Sequence, residues 1–405
     1  MSEIRPIRTI WASRRLRALI VASVVLGVSY AFVMPFMSLF GTKAAKMSPI
    51  GFGVFMTIVS VSGILLSTAL ARHSDLTRSR KPVLLLGGVT GAIGYAGYAF
   101  LRDPLLLTVC GAIFIGLSSV TFSQLFAYAR DLLAQERVEP AHIPLYMNVV
   151  RSTFALAWTA GPAVAAWVMS AYSFTGTFLV AAGCLLLFAL IVHRLLPEVR
   201  ADPALAKVPI DRAPPLRQTL QKPVVFGSFV AFVAYFVAAT MGIMNLPLLL
   251  VETLGQSERE VGIAYSVAPC FELPFMYYVG VLATRLRHDR MIRTTFVLAA
   301  VYYLGLSTVS SPYHVYGAQV VSALIVSVTG GLAITFFQDF LPGQAGTATN
   351  LYSSAQRAGS TVGYLAFGLL SGAFGHRVVF VVCAGLCVIS AALLLLVRSP
   401  RALAP

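Results

Sequence analysis

The chain has 405 residues, 58% of them hydrophobic and 11% charged, with a mean hydropathy of +0.82. This is not the composition of a soluble globular domain, and its repeated apolar runs of about 20 residues predict membrane-spanning helices. The net charge of +15 does not mark a nucleic-acid surface, because the basic residues are spread across loop after loop between those runs, as in basic cytoplasmic loops.

Arg5, Arg8, Arg14, Arg15 and Arg17 precede an apolar run from Leu19 to Phe40. The run is too long for a signal-peptide core and carries no convincing cleavage site, so it predicts a retained first helix. Hydropathy then predicts twelve helices in order, at roughly 17–40, 51–71, 83–101, 104–128, 145–169, 174–195, 223–251, 260–283, 291–310, 313–337, 347–372 and 377–397. Alternating the loops puts 23 of the 30 Lys and Arg on one side and five on the other, with Arg151 and Arg357 inside helices. That asymmetry predicts both termini in the cytoplasm. The five cysteines all lie in apolar runs without metal-ligand or disulfide spacing, and read as packing residues.

Between the sixth and seventh helices the chain turns polar, basic and proline-rich, with Pro197, Pro203, Pro209, Pro214 and Pro215. It predicts a linker over 196–222 dividing two six-helix halves, 1–195 and 223–405. The halves match weakly at an offset near 210. Pro35 aligns with Pro247, Gly53 with Gly262, Phe122–Phe126 with Phe336–Phe340, and Arg151 and Trp158 with Arg357 and Tyr364. Such an ordered set of matches indicates duplication, the repeat signature of secondary transporters, and places a binding site near the bilayer midplane. The predicted fold class is therefore an all-α membrane protein of twelve transmembrane helices in two pseudo-symmetric halves.

The repeat breaks where Gly63 of the first half becomes Glu272 of the second. Glu272, followed by Pro274, is the one carboxylate deep inside an apolar segment, and an intramembrane acid normally meets a wet, protein-lined cavity. The alternative is a neutral, protonated Glu hydrogen-bonded between helices. Polar residues within helices are the other candidates: Gln124, Asn148, Arg151, Trp158, Asn245, Gln338, Tyr352, Gln356 and Arg357. Amides, hydroxyls and aromatics in combination suit neutral polyhydroxy ligands, which need several hydrogen bonds and flat apolar faces. The many helical Ser and Thr residues are explained by helix–helix packing. Arg151 and Arg357 either close an inner mouth, contact substrate, or snorkel to the interface.

The segment Ala71-Arg72-His73-Ser74-Asp75-Leu76-Thr77-Arg78-Ser79-Arg80-Lys81 resembles the helix 2–3 loop motif of the major facilitator superfamily. The resemblance implies that its acid pairs with basic groups and a helix end to hold an inner gate. It assigns gating to Asp75, with Arg130 and Asp131 of helix 4, and to Asp339 in the second half. Ala71 and Arg78 depart from the motif's glycines, and Thr284 replaces the acid in the second copy. Gly161-Pro162 resembles the core of the superfamily's antiporter motif, although a bend or close helix approach suffices to explain it.

A closer resemblance is to bacterial sugar efflux transporters. It rests on Phe337-Gln338-Asp339-Phe340-Leu341-Pro342-Gly343-Gln344-Ala345-Gly346-Thr347-Ala348-Thr349, and on Gln124-Leu125-Phe126-Ala127-Tyr128-Ala129-Arg130. Leu156-Ala157-Trp158, Pro35 with Ser38-Leu39-Phe40, Asn245 with Pro247, and Glu272 with Pro274 extend it from the first helix to the last. The family implies a proton-coupled exporter of mono- and disaccharides or glycosides in the bacterial inner membrane. Its partners are the sugar, protons and lipid, with no cofactor, metal or nucleic acid, and a monomer suffices. Asn245 stands where the family carries an acid, and Arg357 where it carries a small polar residue, which leaves the proton load on Glu272. Gln124, Asn245, Gln338 and Arg357 would hydrogen-bond the substrate, with Trp158, Tyr352 and Tyr30 as stacking faces. Export of drugs or other small metabolites is the alternative. An enzyme is excluded by the absence of a His-Glu-x-x-His motif, a P-loop, or a loop long enough for a catalytic domain.

Overall fold

The computed structural model describes residues 13–396 except 78, 137, 140–141, 200–215 and 342–343. Arg5, Arg8, Arg78, Arg137, Pro342, Gly343 and most of the predicted linker, with its Pro203, Pro209, Pro214 and Pro215, lie outside the described residues. The described residues form ten helical runs long and apolar enough to cross a membrane. Two of these, Ile143–Leu195 and Ala345–Leu396, are 53 and 52 residues long. At 1.5 Å per residue each would reach about 80 Å, well beyond a bilayer's thickness of about 30 Å. Each breaks once. Ser173 (φ 58°, ψ −170°) divides the first and Gly375 (φ 76°, ψ 173°) the second.

The spans among the described residues are thus α1 (Arg14–Ala44), α2 (Pro49–Thr77), α3 (Lys81–Phe100), α4 (Pro104–Gln135), α5 and α6 (before and after Ser173), α7 (Pro223–Thr253), α8 (Glu258–Ala283), α9 (His288–Thr308), α10 (Pro312–Phe340), and α11 and α12 (before and after Gly375). Local chemistry sets their starts. Pro49, Pro82, Pro104, Pro223 and Pro312 sit in first turns, where a missing N–H costs nothing. Ser13, Asp103 and Ser311 accept backbone N–H groups of the first turn. Pro35 and Pro247 act alike in the two repeats. The first lies in a 3₁₀ turn, Met34–Phe36, and the second near the end of the α-helical part of α7. Each is followed by a widened π turn, at Phe40–Ala44 and Leu249–Thr253.

Two boundaries differ from the sequence expectation. Arg72 to Thr77 continue α2 rather than forming a loop, and Arg130-Asp131 lie inside α4, which runs to Gln135. Both stretches are polar but contain no Gly or Pro, so only their solvation changes and nothing interrupts the helix.

The chain divides into two compact units. Among the described residues one comprises 13–46 with 58–199, and the other 47–57 with 216–396. In the first, α1 lies on α5 and α6. Ser23 Oγ donates to the Val150 carbonyl (3.0 Å) and Ser29 Oγ to that of Ala181 (3.1 Å). A Cβ at Gly161 would lie 2.6 Å from the Ala31 Cβ, so the close helix approach offered for Gly161-Pro162 is present. Phe40, Tyr98 and Phe178 form its aromatic core. In the second unit, α11 crosses α7 at Gly359 and Gly363, where added Cβ atoms would meet the Val233 and Val237 carbonyls at 2.8 and 3.0 Å. Phe232, Phe296, Phe336 and Phe337 fill the space between α7, α9 and α10. Small residues at both crossings let backbones approach where lipid offers no hydrophobic drive to association.

Candidate functional site: polar side chains within the spans

In the first unit Asp75 and Asp131, two of the residues expected to gate, meet at Arg80, the residue capping the start of α3. Its Nε donates to Asp131 Oδ2 at 2.5 Å, and its Nη1 donates to Asp75 Oδ1 at 3.1 Å and to Gln124 Oε1 at 3.2 Å. Gln124, 3% exposed, also accepts from Ser74 Oγ at 3.2 Å. Two acids and an amide from α2 and α4 thus converge on one guanidinium, whose fork of donors suits several acceptors at once. Lys81 Nζ closes the same end, donating to the carbonyls of His193 and Leu196 that end α6. Arg130 is exposed and has no side-chain partner among the described residues.

Gln124, expected as a substrate ligand, therefore has its carbonyl engaged within this latch. The other first-unit candidates lie apart from it. Asn148 and Arg151 are exposed on α5, and Trp158 is half-buried two turns further on. The Arg151 guanidinium sits 5.7 Å from the centre of the Phe126 ring. Phe154 links Tyr30 and Phe122 at centroid distances of 6.1 and 5.0 Å. An arginine, an amide and an aromatic patch of Tyr30, Phe122, Phe126 and Phe154 therefore share the α1–α4–α5 region.

In the second unit Glu272 occupies the middle of α8, between Pro269 and Pro274. It is half-buried, and its carboxylate has no hydrogen-bond or ion-pair partner among the described residues. Its backbone carbonyl accepts from Ser327 Oγ of α10 at 3.2 Å. Gln338 is half-buried, and neighbouring Asp339 Oδ2 lies 2.7 Å from His288 Nδ1 at the start of α9. Tyr352 packs against Phe236 (5.6 Å between centroids), while Gln356 and Arg357, a turn further along α11, are exposed.

Asn245 is a second-unit amide expected to bind substrate. It is fully buried, and both ends of its amide are occupied. Nδ2 donates to the His376 carbonyl at 2.8 Å, and Oδ1 meets His376 Nδ1 at 2.8 Å.

Sequence reading did not single out Arg80, His288 or His376, which the structure places against residues expected in the site. A signal existed for the first two. Arg80 and Asp131 are separated by 51 positions, and so are His288 and Asp339, a shared spacing that the helix 4 and helix 10 alignment, which sets Asp339 against Leu125, did not bring out. His376 had none, because it meets Asn245 across 131 residues.

The sequence profile of the Major Facilitator Superfamily matches residues 19–356 and 232–405. A Deinococcus radiodurans protein named for sugar efflux transport is 33% identical over 374 residues, covering 91% of this chain and 94% of its own. Sugar efflux transporter A of Escherichia coli is 29% identical, covering 92% and 93%. The crystal structure of the nucleoside transporter NupG superposes with a TM-score of 0.76 at 13% identity, over 95% of this chain and 99% of that one. A bacterial homologue of the lysosomal transporter Spinster gives 0.71 at 12%, over 94% and 95%. Those two likenesses establish the fold, and the closer sequence relatives establish a family of transporters and not of enzymes. The chain is a multi-pass membrane protein and belongs to the sugar efflux transporter family of the major facilitator superfamily.

Proposed function

We propose that this protein exports mono- and disaccharides or glycosides from the cytoplasm across the bacterial inner membrane, by alternating access driven by inward proton flow. The observation that carries the coupling is Glu272, a carboxylate in the middle of a membrane span with no partner among the described residues. Such a group can accept a proton when enclosed and release it when water reaches it, so its charge follows the access state. Pro269 and Pro274 each remove a backbone N–H from α8, which loosens the helix where that change must occur.

Sugars as the substrate class are supported by the names of the relatives and by the side chains still available. Asn148, Arg151 and Trp158 on α5 offer hydrogen-bonding groups with a flat face, and so, in the other unit, do Tyr352, Gln356 and Arg357 on α11. Gln124 and Asn245 leave that set, since other residues already hold them. Gln338 remains a candidate, and Asp75, Arg80, Asp131 and Asp339 serve the inner gate. Basic residues concentrated at the linker side of the spans support cytoplasmic termini.

The test is uptake of labelled glucose, lactose and a thiogalactoside into proteoliposomes, with and without an imposed pH gradient, for wild type and Glu272→Gln. Gradient-driven transport that collapses in the variant while passive exchange persists is the expected result. Equal gradient-driven transport in both refutes the role of Glu272. Absence of sugar movement in folded wild type directs the reading to drugs or other metabolites.

A further inference from the structure

At the far end of α7 from the linker, three side chains form a chain of contacts. Asn245 is fully buried, His376 lies at the start of α12 just beyond the Gly375 break, and Glu252 sits in the terminal π turn of α7. Asn245 Nδ2 donates to the His376 backbone carbonyl at 2.8 Å. A carbonyl oxygen can only accept, so this bond fixes which end of the amide is which. Asn245 Oδ1, an acceptor, must then face the 2.8 Å contact with His376 Nδ1, and Nδ1 must carry a hydrogen. Ser371 Oγ, 3.4 Å from Nδ1, adds a second acceptor on the same side.

The consequence falls on the other ring nitrogen. His376 Nε2 lies 3.0 Å from Glu252 Oε2. With Nδ1 protonated, a neutral imidazole presents a lone pair at Nε2 to a carboxylate oxygen, and two acceptors at that distance repel. One more proton between Nε2 and Oε2 converts the contact into a charge-assisted hydrogen bond. Among the described residues Glu252 is the only charged group in contact with the imidazole. The adjacent Arg377 is directed elsewhere, donating to the Ser307 and Val309 carbonyls at 2.7 and 2.9 Å. The His376 side chain is 14% exposed and that of Glu252 39%, so the pair joins an anchored imidazole to a carboxylate that water reaches.

We propose that Glu252 and His376 form a proton-binding site, held in register by Asn245, that loads the proton used in the export cycle. Its use in the cycle rests on the proton-coupled reading above; its existence follows from the hydrogen-bond directions alone. On the proposed topology this end of α7 is the outer one, from which the driving proton comes. Histidine is the side chain whose charge changes most readily between about pH 5 and 8, the range an outer proton site must sample. The buried Asn245 selects the less common Nδ1–H tautomer, which keeps Nε2 free to exchange its proton with Glu252.

Two measurements test this. The first is ¹⁵N NMR of histidine-labelled protein in lipid nanodiscs, with His376→Asn identifying the signal. His376 is expected to lose its proton from Nε2 and remain Nδ1–H at high pH, and Asn245→Ala to return it to the ordinary Nε2–H form. An Nε2–H tautomer in the wild type overturns the site. The second is gradient-driven sugar export at a series of external pH values for wild type, Glu252→Gln and His376→Asn, each first shown monodisperse in detergent. The expected result is at least a tenfold loss of gradient-driven rate in both variants, with a flattened dependence on external pH. Variants that match the wild-type rate and pH dependence overturn the site's role, whereas a wild type indifferent to the gradient overturns proton coupling itself.

Discussion

Replacing Asp131 or Asp75 by Asn separates the two acids that Arg80 holds, and the structure ranks them in an order opposite to the motif. Asp131 meets Arg80 Nε at 2.5 Å, and both side chains are 14% exposed. Asp75 meets Nη1 at 3.1 Å but is itself 58% exposed. A hydrogen bond to a charged group contributes about 1.5–3 kcal/mol, while an exposed ion pair contributes about 0–1 kcal/mol. Asp131→Asn should therefore cost about 2 kcal/mol, roughly thirtyfold in the folding equilibrium at 1.4 kcal/mol per factor of ten, and Asp75→Asn less than about 1 kcal/mol. Arg80→Gln removes three bonds and leaves Asp131 unpaired, so it should cost the most, about 3 kcal/mol. Equilibrium unfolding by sodium dodecyl sulfate in mixed micelles, followed by tryptophan fluorescence, reads these differences. The Arg80→Gln, Asp131→Asn double variant should be non-additive by at least about 1 kcal/mol. Equal costs for the two Asp variants, or additivity of the double variant, would refute the assignment of the latch to Asp131.

Ser173 occupies a backbone region reserved almost wholly for glycine, which is the residue at the corresponding break, Gly375. Ser173→Gly should therefore raise stability in the same assay by about 1 kcal/mol or more, and Gly375→Ala lower it by about 1–3 kcal/mol. A Cβ at Gly359 would lie 2.5 Å from the Phe236 Cβ and 2.8 Å from the Val233 carbonyl, whereas one at Gly280 meets nothing within 4 Å. Gly359→Ala should destabilise by about 1–3 kcal/mol, while Gly280→Ala should leave stability unchanged or slightly improved. Gln356 and Arg357 are exposed and have no side-chain partners among the described residues. Substituting either by Ala should change stability by less than about 0.5 kcal/mol, yet raise the KM for sugar export if these residues bind substrate.

Much of the architecture was legible because a bilayer imposes it. A span must be apolar for about 20 residues and must satisfy its backbone internally, so composition and length alone mark the helices and their number. The duplication was legible for a related reason. Pro35 and Pro247 act on the backbone of their own helices, so their effect does not depend on what packs against them. Glu272 was legible because the cost of an acid in hydrocarbon is a property of the residue and its segment.

The fate of the other polar residues was decided by tertiary structure. Nothing in the sequence separates Gln124, engaged by Ser74 and Arg80, from Gln356, which is exposed. Nor does it distinguish Asn245, held at both ends by His376, from Asn148 on the surface of α5. An amide has the same composition and hydropathy whether its hydrogen bonds are made to a neighbouring helix or left for a ligand. The difference lies in partners 44 to 131 residues away, which only the packing of α2 on α4 and of α7 on α12 brings within 3 Å or so.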